Sequence, residues 1–329
     1  MNKIKSASSE FLYMASVCII TYNQENYIEH CLNSFIKQNT DFNYQIIIAD
    51  DGSTDGTQLI IKELQKKHPD LIFPILQKEN KGTVKNLIDA YTCATGKYIF
   101  HIDGDDYAYP NKLQEQVEIL ESNPDCIICT HNVNVINKNN IIIKDSFRNM
   151  KTGKYNIFDL YQCLPFFAHS SKMFRNVFTS SFWDQFNDST LDIEVHVAQL
   201  NETNQNIYHI DKCLGAYRYF TGVSASNSRV NTAIVSGSSR IFENALIQNR
   251  QSQSLIKKAY AKKMMEYAYQ SATLGNKSDY KKYIEKSVNI KIYSAIQLLF
   301  FILKPLPALS IALCKTRSIF RGYNSNKQP

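Results

Sequence analysis

The stretch GKYIFHIDGDDYAYP, residues 96–110, decides the fold, because an apolar run ends there in a cluster of acids. Asp103, Asp105 and Asp106 come directly after residues that predict a buried strand. Carboxylates this close repel one another, and each loses solvation where a sheet ends in a covered site. The pattern therefore predicts a positively charged ligand or ion at the end of this strand.

The chain around this stretch alternates between short β-rich runs and segments of helical periodicity. The predicted strands are 15–21, 44–50, 71–77 and 97–103, and the predicted helices are 25–38, 55–67, 83–94 and 110–122. This alternation predicts an α/β fold with a doubly wound, mostly parallel sheet. Ligands bind beyond the carboxyl ends of such strands, where the polar clusters TYNQE, DDGSTDGT, ENKGTVKN and DGDD follow. We therefore expect four loops to converge on one site.

Familiar nucleotide-binding signatures do not match this layout. The first predicted strand is not followed by GxGxxG, and no GxxxxGK[ST] phosphate loop occurs. A dinucleotide fold and a P-loop are thus unsupported. What remains is recognition of a nucleotide and its metal by carboxylates.

Four segments carry a resemblance to a known family. VCIITYNQENYIEHCLNSFIKQ, IIIADDGSTDGT, NKGTVKN and GKYIFHIDGDDYAYPNKLQEQVEIL occur in this order within roughly residues 15–133. They resemble the successive motifs of the family-2 inverting glycosyltransferases with the GT-A fold, and weaker similarity continues to about residue 225. The resemblance implies a GT-A-like catalytic domain over 15–226, between an N-terminal segment (1–14) and a helical C-terminal region (227–329).

The resemblance also implies roles for residues on the nucleotide side. Thr21 corresponds to the residue that closes the first strand and contacts the base or ribose. Asp51 corresponds to the carboxylate that accepts a base N–H, which favours uracil or thymine. Lys85 lies where the family often has a basic residue near the base or phosphate, although the usual Arg and its longer spacing are absent.

The acids of the opening stretch correspond to the family's metal-binding pair. Asp103, on the nucleotide side, and Asp105 form the DxD-like pair, and Gly104 is expected to let the backbone pass close to the ligand. Carboxylate and phosphate oxygens suit Mn²⁺ or Mg²⁺, and such a cation would offset the repulsion between the acids. Asp106, just before the helix expected at Pro110, is expected to be a local turn acceptor.

The expected catalytic base is Asp192. The segment STLDIEVHVAQL (189–200) has helical periodicity, with Ser189 or Thr190 as predicted cap, and it resembles the family's ED or GD motif. Glu194 is the rival, about 200° around the helix. Asp188 lies in a polar run that predicts a loop.

Three further side chains have open roles at this stage. His196 lies one turn after Asp192, where it orients that acid or belongs to a surface pair. His169, in FFAHSSKMFR (166–175), is either a structural or a catalytic histidine. Phe220 stands where many relatives carry His, so a metal or diphosphate contact from that position is not expected here.

The formal charge of +7 is unevenly distributed. From residue 248 onward there are 15 Lys and Arg against 3 acids, whereas the first 247 residues carry a net charge of −5. No nucleic-acid module accompanies the basic region, so we expect no nucleic-acid partner and favour a membrane surface. The apolar segment 292–315 is interrupted by Lys304, Pro305 and Pro307, which favours an interfacial anchor over a span, with a buried helical pair as the alternative.

The cysteines and the N-terminus favour a cytoplasmic location. Eight cysteines lie mostly in apolar runs, without a second CxxC or a His pair that would complete a zinc site. MNKIKSASSEFLYM lacks an apolar core of signal-peptide length. We expect reduced thiols and a cytoplasmic protein that is peripheral on the inner face of the cell membrane.

The expected function is metal-dependent, inverting sugar transfer in capsule or O-antigen biosynthesis. The donor is a nucleotide-diphosphate sugar, with UDP favoured, and the acceptor is a hydroxyl of a glycan or lipid-linked glycan. Two alternatives stay open: a sugar-phosphate nucleotidyltransferase, which would release pyrophosphate, and a catalytically lapsed membrane-bound assembly partner. The intact set of acids at 51, 103, 105 and 192 argues against the lapsed form.

Overall fold

The computed structural model describes residues 3–5, 11–219, 229–309 and 312. Their contacts divide them into two compact units. The first comprises the described parts of 1–160 and 165–222, and the second comprises 161–164 and the described residues from 229 onward. Phe220 and the basic residues after 312 lie outside the described residues, so the structure leaves the expectations about them as predictions.

Strands and helices alternate through the first unit, and helices make up the described C-terminal part. The strands are β1 (Tyr13–Thr21), β2 (Tyr44–Asp50), β3 (Ile72–Leu76), β4 (Gly96–Asp103), β5 (Tyr107–Ala108), β6 (Cys126–Ile136), β7 (Ile142–Lys144), β8 (Gly153–Tyr155), β9 (Met173–Arg175) and β10 (Asn206–Arg218). The helices are α1 (Ile28–Ile36), α2 (Thr57–Lys67), α3 (Thr83–Thr92), α4 (Lys112–Ser122), α5 (Ile157–Gln162), α6 (Ser180–Trp183), α7 (Asp192–Thr203), α8 (Thr232–Gln248), α9 (Gln253–Thr273), α10 (Lys277–Ile290) and α11 (Ala295–Ile302).

One mixed sheet organises the first unit, in the order β3-β2-β1-β4-β9-β6-β10-β5. β1 pairs in parallel with β2 and β4, β2 with β3, and β6 with β10. β9 runs antiparallel between β4 and β6, and β5 runs antiparallel to β10. The predicted α/β fold with a mostly parallel sheet and a helical C-terminal extension is confirmed, and the first four strands and helices match their predicted bounds to within three residues.

The central strands are buried on both faces, because helices cover the sheet on either side. Val17 and Ile19 of β1, Ile46 of β2 and Phe100 of β4 have no exposed surface. They belong to one apolar cluster with residues of α1, α2 and α4. This packing places the ends of β1, β2 and β4 firmly, and those ends carry the polar residues of interest.

A short turn joins the second half of the sheet to the first. Residues His169–Ser171 form one turn of 3₁₀ helix directly before β9. The N–H of His101, in β4, donates to the carbonyl of Lys172 at 3.0 Å. The segment 166–175 therefore contains a turn and a strand, and it lies against the strand that ends in Asp103.

The second unit consists of helices, and α8, α9 and α10 match the helical segments expected from the sequence. α11 buries Gln297 and Phe300, and the hydroxyl of Tyr280 in α10 donates to the carbonyl of Phe300 at 2.7 Å. Ile302 and Leu306 are exposed. Within the described part of the chain, no helix has both the length and the apolar character that crossing a bilayer requires.

Candidate active site

Three strand ends meet at one edge of the sheet. In the strand register Thr21 pairs with Asp50, and Ile20 pairs with Asp103. Asp51 follows β2 directly, and its N–H donates to the carbonyl of Thr21 at 3.0 Å. The structure therefore brings Thr21, Asp51 and Asp103 together, as expected for parallel strands that end at the same level.

The two acids after β2 organise the loops around them. Asp51 is almost fully buried, and its carboxylate accepts the N–H groups of Lys81 at 2.7 Å and Gly82 at 3.1 Å. Asp50 accepts the N–H of Ser53 at 2.9 Å and the amide of Gln58 at 2.6 Å. Asp51 thus connects the loops after β2 and β3, in addition to the nucleotide-binding role predicted for it.

Lys85 does not join this group in the structure. It lies in the first turn of α3, its side chain is 53% exposed, and its Nζ is 2.5 Å from Asp89 Oδ1 on the same helix. Exposed pairs with this spacing contribute little to stability. The predicted contact of Lys85 with base or phosphate stays a prediction that requires the side chain to leave Asp89.

The DGDD turn packs tightly against β1. Gly104 donates its N–H to Ile20 O at 2.9 Å, and a Cβ at Gly104 would lie 2.5 Å from Gln24 Oε1 and 2.9 Å from Ile28 Cδ1. The contacts that exclude a side chain at this glycine are therefore with the protein itself. A larger residue at Gly104 would require the ends of the Gln24 and Ile28 side chains to move, and the expected approach of a ligand at this glycine stays a prediction.

Asp103 is held by its neighbours but keeps an accessible face. Its side chain is 32% exposed, and Oδ1 lies 3.3 Å from Nε2 of His101, two residues earlier in β4. Ser170 donates its hydroxyl to Asp103 Oδ2 at 3.4 Å and accepts the Asp103 N–H at 3.2 Å. Asp105 follows the glycine and is 8% exposed. Neighbouring carboxylates with this donor chemistry fit Mg²⁺ or Mn²⁺, the hard cations predicted for them.

Asp106 differs from its expected role as a local turn acceptor. It is buried, and its Oδ1 accepts the N–H of Arg218, at the end of β10, at 2.7 Å. The Arg218 guanidinium donates to Asp105 O at 2.9 Å and to Asn137 O at 2.7 Å. The acid therefore joins the DGDD turn to a distant strand, a contact that local sequence does not predict.

Asp192 is the first residue of α7. Its Oδ1 accepts the N–H of Ile193 at 2.7 Å. The predicted cap at Ser189 or Thr190 is wrong, because the helix begins after Leu191, whose N–H donates to Glu194 Oε2 at 2.9 Å. The rival acid Glu194 thus closes the start of the helix.

The other rival acid, Asp188, lies beside the loop after β3. A Cβ at Gly82 would be 2.7 Å from Asp188 Oδ1. Residue 188 precedes α7 and lies in a turn, as the polar run around it predicts.

A buried row of nitrogen bases lies behind Asp192. His169 Nδ1 is 3.9 Å from Asp192 Oδ2 and 3.2 Å from His196 Nε2. His196 is 1% exposed, which rules out the surface pair, and its Nδ1 lies 3.1 Å from Nζ of Lys172. The rings of His169 and His101 are 3.8 Å apart between centroids. Because Nε2 of His101 lies 3.3 Å from Asp103 Oδ1, these two rings connect the row with Asp103.

Burial changes the acid–base properties of this row. Desolvation lowers the pKa of Lys172 to about 7. It also lowers the pKa of His169 and His196 well below the ordinary value for histidine, and nearby Lys172 adds to the effect. The side chain of Asp192 is 49% exposed. The protein around its inner side removes water from the carboxyl group and thereby raises the pKa of Asp192. The negative charge of Asp103 raises this pKa further. A carboxylate with a raised pKa is better suited to accept a proton near neutral pH.

His169, Asp192 and His196 also form a possible set of metal ligands, with donor atoms within 4.8 Å of one another. Metal-bound histidines donate their second ring nitrogen to a carboxylate or carbonyl. Here that nitrogen of His196 faces the ammonium of Lys172, and Nε2 of His169 has no hydrogen-bond partner among the described residues. The surroundings therefore fit a hydrogen-bonded row better than a metal centre.

Sequence reasoning missed His101, Lys172 and Arg218. His101 stands in the opening stretch, where the alternation of a strand would have put its side chain beside that of Asp103. Lys172 follows the polar residues His169, Ser170 and Ser171, so no local pattern marks it as buried. The partner of Arg218 depends on a contact between residues 112 positions apart, which no local signal predicts.

The family model described as glycosyl transferase family 2 matches residues 16–182, just over half of the chain. The crystal structure of S. aureus TarS 1-349 in complex with UDP-GlcNAc has a TM-score of 0.62 at 18% identity and covers 94% of this chain and 92% of its own. A mannosyltransferase from Pyrobaculum calidifontis, in complex with GDP-Man and Mn²⁺, has a TM-score of 0.54 at 15% identity over 98% and 91% of the two chains. These two likenesses show the fold.

Curated relatives match over shorter stretches. An uncharacterized protein of Mycobacterium bovis is 43% identical over 122 residues, which are 37% of this chain and 35% of the relative. The putative glycosyltransferase EpsE of Bacillus subtilis is 38% identical over 106 residues, or 32% of this chain and 38% of the relative. The chain thus spans little more than a third of the length of these curated relatives. The family match, supported by the fold and by the acids at the strand ends, shows that the chain belongs to glycosyl transferase family 2.

Proposed function

We propose that this chain is a metal-dependent, inverting glycosyltransferase that moves a sugar from a nucleotide-diphosphate donor, with a UDP-sugar favoured, to a hydroxyl acceptor. One observation carries the proposal: Asp103, at the end of β4, and Asp192, at the start of α7, lie on either side of His101 and His169. His101 Nε2 is 3.3 Å from Asp103 Oδ1, and His169 Nδ1 is 3.9 Å from Asp192 Oδ2. A candidate metal ligand and a candidate base thus flank the same pair of rings.

Each residue has a definite task in this reaction. Thr21 and Asp51 would contact the nucleoside at the ends of β1 and β2, and Asp103 and Asp105 would hold Mn²⁺ or Mg²⁺. When bound, that cation would neutralise charge on the departing diphosphate. Asp192 would remove the proton of the acceptor hydroxyl as this oxygen attacks the anomeric carbon from the face opposite the diphosphate. A single displacement of this kind inverts the anomeric configuration.

The acceptor and its location belong to the same proposal. We propose a glycan or lipid-linked glycan acceptor in surface polysaccharide biosynthesis, and a peripheral position on the inner face of the cell membrane. Supporting this, Lys281, Lys282 and Lys286 line one groove on α10, and α11 exposes Leu299 and Ile302. Basic side chains combined with exposed apolar ones suit an anionic lipid surface.

Isothermal calorimetry with UDP tests the metal-dependent part. UDP affinity should rise on addition of Mn²⁺, and Asp105→Ala should remove that increase. Asp188→Ala is the control, because it removes a carboxylate from a neighbouring loop outside the DGDD turn. Equal UDP affinity in chelator and in Mn²⁺ would refute metal-dependent donor binding.

A donor screen tests the reaction itself. Purified protein is incubated with a panel of nucleotide sugars and Mn²⁺, and release of nucleoside diphosphate is measured alongside pyrophosphate. Glycosyl transfer predicts nucleoside diphosphate without pyrophosphate, whereas pyrophosphate formed from a nucleoside triphosphate and a sugar phosphate would indicate the nucleotidyltransferase instead.

A further inference from the structure

Lys172 is fully buried, although a lysine is seldom found without contact with water. Its Nζ lies 3.1 Å from His196 Nδ1 and 3.4 Å from Gln199 Oε1, and 4.7 Å from the centre of the Phe174 ring. These partners are neutral acceptors and an aromatic face. A buried ammonium is costly unless its charge is compensated, so the acid that compensates it must act from further away.

Hydrogen-bond chemistry gives the row a direction. An ammonium group has no acceptor capacity, so Lys172 donates to His196 Nδ1. His196 then carries its proton on Nε2, which donates to His169 Nδ1 at 3.2 Å. That same nitrogen of His169 faces Asp192 Oδ2 at 3.9 Å. Because His169 Nδ1 accepts this hydrogen bond, His169 carries its proton on Nε2 and donates nothing to Asp192. The hydrogen bonds therefore end at His169, and Lys172 acts on Asp192 through its charge.

Asp192 is surrounded by groups of several kinds, and one of them is a cation. The titratable or charged groups that act on it are Asp103 and His101 from β4, Tyr91 from α3, Tyr217 from β10, His169 and Lys172 from the turn before β9, and Glu194 and His196 from its own helix. The acids disfavour the ionised form of Asp192, and the histidines are neutral because burial lowers their pKa. Lys172 is the member of this set that favours the carboxylate.

We propose that Lys172 is a positioning residue for the candidate base: held in place by His196, it puts a buried positive charge behind Asp192 and keeps that carboxylate ionised. This inference rests on the proposed function, in which Asp192 accepts the proton of the acceptor. The arrangement offers a reason for burying a lysine here, because a base in a desolvated site needs a nearby positive charge to stay ionised.

The pH dependence of kcat/KM for sugar transfer tests the inference. Lys172→Met removes the charge and keeps an unbranched chain in the cavity. Without the charge, Asp192 takes up its proton at higher pH, so the acid limb of the profile should move toward neutral pH. When each profile is normalised to its own plateau, kcat/KM of the variant on this acid limb should be at least about threefold below that of the native protein.

Lys112→Met is the matched control. Lys112 is equally buried, has its pKa lowered to about 7 by desolvation, and lies 4.2 Å from the centre of the Phe100 ring, but it donates to Ser170 O and faces Asp106. Its removal should leave the acid limb in place. If Lys172→Met and Lys112→Met give the same limb position as the native protein, the inference is overturned.

A measurement on the native protein separates this inference from the proposed function. Nitrogen-15 NMR of the imidazole rings should show His196 protonated at Nε2 and unprotonated at Nδ1, whether or not a donor has been identified. A proton on Nδ1 of His196 would reverse the row and refute the inference. Should the expected tautomer be found in a protein that transfers no sugar from any donor, the proposed function would be wrong, and the hydrogen-bonded row would stand without a catalytic role.

Discussion

At the residue scale, Asp106 carries the clearest effect of burial. Desolvation, and then the charges of Asp105 and Asp103, raise its pKa well above the ordinary value for aspartate. Because the unfolded chain releases this proton at lower pH than the folded protein does, the native state loses stability as the pH rises from the unfolded pKa toward the folded one. Asp106 therefore favours folding at acid pH and opposes it near neutrality, unless a cation binds beside it.

Asp106→Asn tests the direction of this pH dependence of stability. Asparagine keeps an oxygen for the N–H of Arg218 and has no proton to release. Relative to the native protein, the variant's free energy of unfolding should increase between about pH 4 and pH 7, by up to about 1.4 kcal/mol per pH unit. Urea denaturation at several pH values, in chelator, measures the difference.

Asp125→Asn provides a control of opposite sign. The hydrogen bond from Lys154 lowers the pKa of Asp125, so this acid contributes its stability above the unfolded pKa. Its replacement should become more unfavourable as the pH rises. A pH-independent difference for Asp106→Asn would contradict the buried, proton-retaining state of that acid.

Local chemistry explains which residues the sequence predicted. Acids directly after a strand stand out because the strand's own periodicity and the following turn are local signals, and the roles expected for Asp51, Asp103 and Asp105 came from the family resemblance of these segments. Lys172 and His196 were not recognised as partners, because their contact depends on where β9 enters the sheet and how α7 rotates. Those are properties of the packed fold.

At the element scale, the first four strand and helix pairs were predictable because each carries a strong period and turn residues on both sides. β9 was harder to place, since it has three residues and pairs with β4 and β6 across long stretches of chain. The cap of α7 lies one or two residues after its predicted position, because Glu194 reaches back to Leu191 N–H and replaces a conventional Ser or Thr cap.

The junction of β10 with the DGDD turn gives a prediction at this scale. The Arg218 guanidinium holds Asp105 O and Asn137 O, and it lies 4.3 Å from the centre of the Tyr27 ring. Lysine keeps the positive charge but lacks the planar guanidinium group with its several N–H donors. Arg218→Lys should therefore leave the carbonyls of Asp105 and Asn137 without this hydrogen-bond donor. We expect a loss of about 2–3 kcal/mol in the free energy of unfolding and weaker Mn²⁺-dependent UDP binding.

Arg229→Lys is the control for that substitution. Arg229 pairs with Asp279 in the second unit, and its side chain is 57% exposed. Thermal unfolding and UDP calorimetry should separate the two variants. If Arg218→Lys binds UDP and Mn²⁺ like Arg229→Lys does, β10 has no part in positioning the DGDD turn for metal binding.

At the scale of the whole molecule, the excess of basic residues from 248 onward and the apolar surface of α11 both favour association with a membrane. Among the described residues of 292–315, α11 buries Phe300 and exposes Ile302 at 70%, and the interfacial anchor stays a prediction. Replacing exposed residues therefore tests membrane binding without removing a packed helix.

The triple variant Leu299→Ser, Ile302→Ser, Leu306→Ser should bind anionic liposomes at least about tenfold more weakly, because it removes apolar surface that would enter the interface. Its control replaces three other exposed apolar residues, Leu12, Leu59 and Ile247, with serine. Liposome flotation measures binding. Equal flotation of the two triple variants would show that α11 is not the anchoring surface.

Asp192→Asn tests whether Asp192 is the base of an inverting sugar transfer. Asparagine keeps the shape and the N–H acceptor at the start of α7 but has no basicity. With the donor found by screening, transfer should fall about 10²–10⁴-fold, with UDP and Mn²⁺ affinity unchanged and Glu194→Gln close to native. Transfer at the native rate by Asp192→Asn, together with a loss in Glu194→Gln, would contradict the account.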